Sequence, residues 1–201
     1  MKTSMKMQKR NDKRYPYEVI INGKRLLIPQ QKQFGIYTRN HGCSVTACSI
    51  ATQWIGIKQA DRSVWNPSEI FQKAKKDLGG YNGSKLSIWG CKGIINKIAG
   101  KEVAFWHSND GKHDARIRES INKALDAGHV VIFEEKNPIH TVIFLGIDKN
   151  GKYITATNGR IVRRSQVTEI RKGLHGMTGA KNQKNWFSGK AHGSGYVIVK
   201  G

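Results

Sequence analysis

The chain reads as an α+β protein, and three observations predict that class. Helical periods fill the middle of the sequence, from about Cys43 to Ala127. From His129 to Thr157 the apolar period becomes that of strands, with tight turns between them. The two kinds of segment are segregated along the chain, unlike the alternation of a parallel βαβ sheet.

The elements follow in order. Residues 1–14 are basic and polar and read as a flexible tail, with 15–201 as a single domain. Tyr17 to Ile21 and Arg25 to Ile28 are β-formers on either side of Asn22-Gly23, a two-residue hairpin signal. Pro29 ends that hairpin, and a polar loop rich in Gln, Gly and Asn runs to Gly42. Cys43 to Ile55 has apolar residues over so much of its surface that it predicts a buried helix, with Gly56 as its stop. Asn66-Pro67-Ser68-Glu69 carries a cap, a first-turn proline and a capping-box acid, so a second helix starts there and runs to about Leu78. A third helix spans about Leu86 to Ala99 and stops at Gly100. Val103 to Trp106 is a short strand. Asp114 to Ala127 places Ile117, Ile121, Ala124 and Leu125 on one helical face. Strands follow at His129–Glu134, His140–Ile147 and Tyr153–Thr157, the last two joined by an Asp148-Lys149-Asn150-Gly151 turn. A short helix over Ser165–Arg171 and a strand over Tyr196–Lys200 close the chain.

The 201 residues are 38% hydrophobic, enough for a real core. No run of about 18 apolar residues occurs, so no integral membrane helix is expected. Met1 to Arg14 lacks an apolar run behind its charges and is not a complete signal peptide. The sequence as it stands therefore predicts a cytoplasmic protein, or a secreted one if an upstream signal has been removed. The three cysteines, Cys43, Cys48 and Cys91, form neither a disulfide framework nor a zinc-spaced cluster, and no metal or other cofactor is expected. The protein is expected to act as a monomer.

The net charge is +21. Residues 1–25 carry 8 Lys/Arg against 2 Asp/Glu, and residues 158–201 carry 9 against 1. The two ends thus supply +6 and +8, and the longer middle only +7. Such a field attracts polyanions, although a solubilising lysine-rich surface explains it equally well.

The chemistry centres on Cys43. A thiol attacks as thiolate, and a helix start offers free backbone N–H groups and a favourable dipole. A histidine within reach holds the proton as an ion pair. His140 opens a strand on which Val142 and Phe144 share its face, so its ring can border a cleft while they enter the core. The imidazole needs an orienting partner on its other nitrogen. Asn158, just past the strand that folds back on His140, is a candidate, although before Gly159 it is equally suited to a turn. An oxyanion needs donors: the Cys43 N–H, and a side-chain amide from Gln30, Gln31, Gln33 or Asn40. Cys48 lies roughly 140° further round the helix and belongs to the core. Cys91 reads as a core or surface thiol. His129 is a weaker candidate base, and His41 a residue bordering the cleft or a plain loop residue.

These pieces resemble, in order, the papain-like cysteine peptidases of the C39 family, in its stand-alone bacterial branch. The matching segments are Ile28-Pro29-Gln30-Gln31-Lys32-Gln33, Gly42-Cys43-Ser44-Val45-Thr46-Ala47, Ala127-Gly128-His129-Val130-Val131-Ile132, His140 through Asp148, and Thr157-Asn158-Gly159. The resemblance covers about residues 28–171. Ser44-Val45 stands where Gly-Pro often follows the cysteine, and the separation of Gln33 from Cys43 is on the long side. The resemblance implies a papain-like fold, Cys43 as nucleophile, His140 as base, Asn158 as orienting residue and Gln33 as oxyanion donor, with Gln31 or Asn40 as substitutes. It implies a peptide or protein substrate cleaved at a peptide or isopeptide bond. Deamidation, acyl transfer and cell-wall peptide hydrolysis use the same groups, and a non-enzymatic basic module that binds polyanions is the rival class.

Overall fold

The computed structural model describes residues 3–35, 42–77, 86–108, 114–136, 139–174 and 195–201. It is a mixed α+β structure with two antiparallel sheets. The smaller sheet has the order β1 (Met5–Lys9), β2 (Tyr17–Ile21), β3 (Lys24–Ile28). The expected hairpin forms with Ile21 opposite Lys24, and Asn22 and Gly23 turn it with φ of 50° and 79°. This is the left-handed backbone that makes Asn-Gly a hairpin signal.

The expected flexible tail is corrected. Within residues 1–14, Met5–Lys9 pairs with β2, Met5 opposite Ile21 and Lys9 opposite Tyr17. The Thr3 N–H also donates to the Ile147 carbonyl at 2.9 Å, and the Ile147 N–H donates to Thr3 Oγ1 at 3.1 Å. Backbone bonds at a sheet edge hold this segment. Its side chains are almost all exposed, so they carry no apolar period.

After the smaller sheet come three helices: α1 (Cys43–Trp54), α2 (Pro67–Asp77) and α3 (Ile88–Ala99). Every α1 residue except Gln53 is buried, which matches the pattern of its sequence. Gln53 clamps the edge of β3, accepting from the Leu27 N–H at 2.8 Å and donating to the Leu27 carbonyl at 3.0 Å. At α2 the expected capping box is present: Asn66 Oδ1 accepts from the N–H groups of Ser68 and Glu69, and Glu69 accepts from the Asn66 N–H. Ser87 caps α3, and Gly100, with φ of 67°, ends it.

The larger sheet has the order β4 (Ala104–Ser108), β9 (Gly195–Val199), β5 (Val130–Lys136), β6 (Ile139–Ile147), β7 (Tyr153–Thr157), β8 (Arg160–Arg164). The final strand therefore returns to lie between β4 and β5. Two helices accompany this sheet: α4 (Asp114–Asp126) and α5 (Gln166–Leu174). Strand alternation divides the core in two. Ile132, Ile143, Leu145, Ala156 and Val197 pack with α1 and α3. Val131, Phe133, Val142, Phe144 and Ile198 pack with α4 and with Ile170 of α5. Strand β8, which the sequence reading lacks, follows a second Asn-Gly turn at Asn158-Gly159.

Among the described residues no helix is long and apolar enough to cross a membrane.

Candidate functional site

The site is built where the first turn of α1 meets the start of β6. Cys43 is the first residue of α1 and 8% exposed. No side chain caps the helix at Gly42, and the first turn that carries the thiol contains no acidic residue. The next residue, Ser44, is buried, and its Oγ shares a hydrogen bond of 3.0 Å with Thr141 Oγ1. Cys43 and His140 are thus each one residue from a single buried contact between helix and strand.

Alternation along β6 sends Thr141, Ile143 and Leu145 towards α1. The His140 side chain therefore starts on the opposite face, with Val142 and Phe144, as its sequence position predicts. His140 is half-buried near the end of the strand. Cys43 and His140 therefore flank one helix–strand contact, with the imidazole starting on the sheet face opposite α1.

The imidazole is oriented by Thr157. His140 Nε2 and Thr157 Oγ1 are 2.5 Å apart. This leaves Nδ1 as the ring nitrogen available to a thiol or a substrate. The expected hairpin of β6 and β7 does form, but it delivers the residue before Asn158. Asn158 itself is exposed, with φ of 42°, in the two-residue turn that Thr157 and Arg160 close as a pair. The hydroxyl of Thr157 therefore occupies the orienting place expected for the Asn158 amide.

The glutamine loop lies against that same turn. A Cβ on Gly159 would stand 3.1 Å from Gln30 Cβ and 3.2 Å from Gln30 Cα. Gln31–Gln33 forms one 3₁₀ turn, fastened by Phe34, which meets Tyr15 edge-on at 5.5 Å and Arg14 at 5.0 Å. Burial pushes the Tyr15 hydroxyl up to about 12, against the opposing effect of Arg14. Within this turn Gln33 is exposed, whereas Gln31 is 7% exposed. The expected donor Gln33 points away from a buried site, and Gln31 is the amide that faces inward. Asn40 and His41 lie outside the described residues.

The remaining thiols are core. Cys48 and Cys91 are fully buried. The Cys91 thiol is pushed far up by its hydrogen bond with Cys48, by burial, and by the nearby Cys48, Cys43 and Glu134. Glu134, 4% exposed, pairs across the sheet with Thr141 and shares its face. This buried carboxylate beside the helix start is absent from the sequence reading, since a Glu at the end of an apolar strand normally signals exposure.

On the His140 face, Glu135 is the cross-strand partner. Arg164 bridges Glu135 and Glu169, and Lys172 Nζ lies 2.8 Å from Glu169. Burial and the Glu169 carboxyl hold Glu135 above the usual carboxylate range. Burial works in the same direction on Glu169, but its bonds with Glu135, Lys172 and Arg164 carry it below that range. Among the described residues no group of three or more His, Cys, Asp or Glu side chains is placed to hold a metal ion.

No protein-family model matches this chain, and no curated protein matches it.

Proposed function

We propose that the chain is a cysteine peptidase of papain-like fold, with Cys43 as nucleophile and His140 as base. The observation that carries this reading is the buried Ser44–Thr141 hydrogen bond. It ties the helix start bearing the thiol to the strand start bearing an imidazole whose second nitrogen is held by Thr157. In the reaction, the Cys43 thiolate adds to the carbonyl carbon of a peptide or isopeptide bond, and imidazolium Nδ1–H protonates the leaving amine. The resulting thioester is hydrolysed by a water that gives one proton to Nδ1, so carboxylic acid leaves and the thiolate–imidazolium pair is restored. The tetrahedral oxyanion of each step is met by N–H groups at the start of α1 and by the Gln31 amide. Thr157 engages Nε2, which leaves Nδ1 for proton transfer. The net charge of +21 supports a substrate or surface rich in anions.

The test is hydrolysis of a mixed peptide library, with glutamine-amide substrates alongside, by the wild-type chain and by Cys43→Ala. Peptide cleavage that falls by about 10³-fold or more in the variant is the expected result. Release of ammonia without peptide cleavage would replace peptidase by amidase. Equal activity of the two proteins, lost only in high salt, would leave a basic binding module.

A further inference from the structure

A second site lies on the α4 face of the larger sheet, away from Cys43. Helix α4 covers β5 and β6, beside β9 and the edge strand β4. The space between is a cleft of about 610 Å³, within the range of small-molecule sites. Its floor is apolar: Phe105 of β4 and Ile198 of β9, which pair across the sheet, with Ala124 and Ala127 from the end of α4.

Its polar groups are nearly all of one sign. Arg116, Lys123 and Lys200 line it against the single acid Glu119, whose carboxylate lies 3.1 Å from Lys123 Nζ. Lys200 Nζ stands 4.3 Å from the centre of the Phe105 ring, so the charge lies directly over the apolar floor. Two histidines complete the wall. His107 is stacked on Tyr196 at 5.2 Å, and the Tyr196 hydroxyl donates to Ser120 Oγ at 2.8 Å, so the ring is held flat. His129 Nδ1 is buried with no hydrogen-bond partner among the described residues. Burial and the neighbouring Lys200 hold both imidazoles below their ordinary range, with Lys24 adding to the effect at His129. The cleft thus gathers three cations and suppresses the charge on two more groups.

We propose that this cleft binds an apolar carboxylate, the hydrocarbon body lying on Phe105, Ile198, Ala124 and Ala127 and the carboxylate meeting Lys200 and His129. A carboxylate relieves the repulsion between Lys200 and the imidazoles and supplies an acceptor for a buried ring nitrogen, which a neutral alcohol does only in part. The site uses no residue of the proposed peptidase chemistry.

Decanoate and decanol at sub-micellar concentration are the probes, compared by calorimetric titration and by NMR of the imidazole protons of the full chain. Decanoate is expected to bind at least about tenfold more tightly than decanol, and Lys200→Ala to remove about that factor. Binding should shift the His107 and His129 resonances and persist unchanged in Cys43→Ala. Lys200→Met, which keeps the apolar stem over Phe105, should lose the preference for decanoate while binding decanol as before. Equal affinity for the two probes, unmoved His107 and His129 resonances, or full decanoate affinity in both Lys200 variants would each overturn the proposal. Displacement of decanoate by equimolar inorganic phosphate would do the same, since it would reduce the cleft to a charged patch.

Discussion

Thr157 shows how narrowly a side chain's role depends on register. His140 needs a partner on one ring nitrogen, and the fold-back of β7 supplies it. Sequence reasoning brings the correct hairpin to the histidine and misses the partner by one position. Asn158 carries the side-chain chemistry expected of an orienting amide, but its backbone at φ of 42° belongs to a turn. Thr157 is the last residue of β7, on the face of His140. Replacing Thr157 with Val keeps the shape and removes the oxygen. Peptide hydrolysis is expected to fall by about tenfold or more, with its acid limb displaced, and Thr157→Ser to recover most of the loss. Asn158→Gly suits the same backbone and should change neither the rate nor the unfolding midpoint. Loss of activity in Asn158→Gly with full activity in Thr157→Val would reverse the two roles. Gln31 and Gln33 follow the same logic. Their side chains are chemically identical, and only the path of the 3₁₀ turn buries one and exposes the other.

At the scale of elements, the strongly periodic segments were legible. The buried face of α4, the all-round burial of α1 and the apolar runs of β5 and β6 lie where their periods put them. The Asn66–Glu69 cap was legible because side chains and backbone bond within a few residues. Two strands were not. β1 is held by backbone pairing at an edge, and its side chains are mostly in solvent. β8 is short and rich in arginine, Arg160, Arg163 and Arg164 among its residues. It was nonetheless signalled by Asn158-Gly159, the same dipeptide that predicts the β2–β3 turn at Asn22-Gly23. From the sequence alone Asn158 suits a turn and an orienting amide equally, and the structure places it in the turn. Gly159 has a second constraint, since a methyl group there would lie 3.1–3.2 Å from Gln30, a clash that only a shift of one of them relieves. Gly159→Ala combines a φ of 73° with that clash and is expected to destabilise the chain by about 1–3 kcal/mol in urea unfolding. It should also lower peptide hydrolysis by displacing Gln30 and Gln31. A variant as stable as wild type would show that this turn does not press on the glutamine loop.

For the whole molecule, the α+β class was legible from the segregation of periods, whereas the return of β9 between β4 and β5 was not. Pairing of segments some ninety residues apart along the chain is set by the packing of both sheet faces and leaves no local mark. The two faces also differ in electrostatics. The sheet face towards α1 is mostly apolar, with Thr141 and Glu134 among its polar residues. The α5 face contains two buried carboxylates bridged by Arg164. Arg164→Met leaves Glu135 and Glu169 without their shared cation and is expected to cost about 3–5 kcal/mol near neutral pH. The pH dependence follows from the two directions. Glu169 is held below its unfolded value, so its stabilisation is present above the ordinary carboxylate range and is lost as pH falls through its folded value. Glu135 is held above, so its contribution declines as pH rises from the ordinary range through its raised value. In Arg164→Met both carboxyls gain from protonation, and the deficit should shrink as the solution is acidified. A deficit independent of pH would mean that Arg164 acts through packing alone. The proposed chemistry requires Cys43 to be a thiol activated by His140. The measurement that tests it most directly is the rate of iodoacetamide alkylation at each cysteine, followed by mass spectrometry at about pH 6, where an ordinary thiol is protonated. Cys43 is expected to be modified rapidly in the native chain while Cys48 and Cys91 stay unmodified, and His140→Ala to slow Cys43 by about tenfold or more. Alkylation of Cys43 no faster than that of Cys48 and Cys91, or unchanged by His140→Ala, would contradict it.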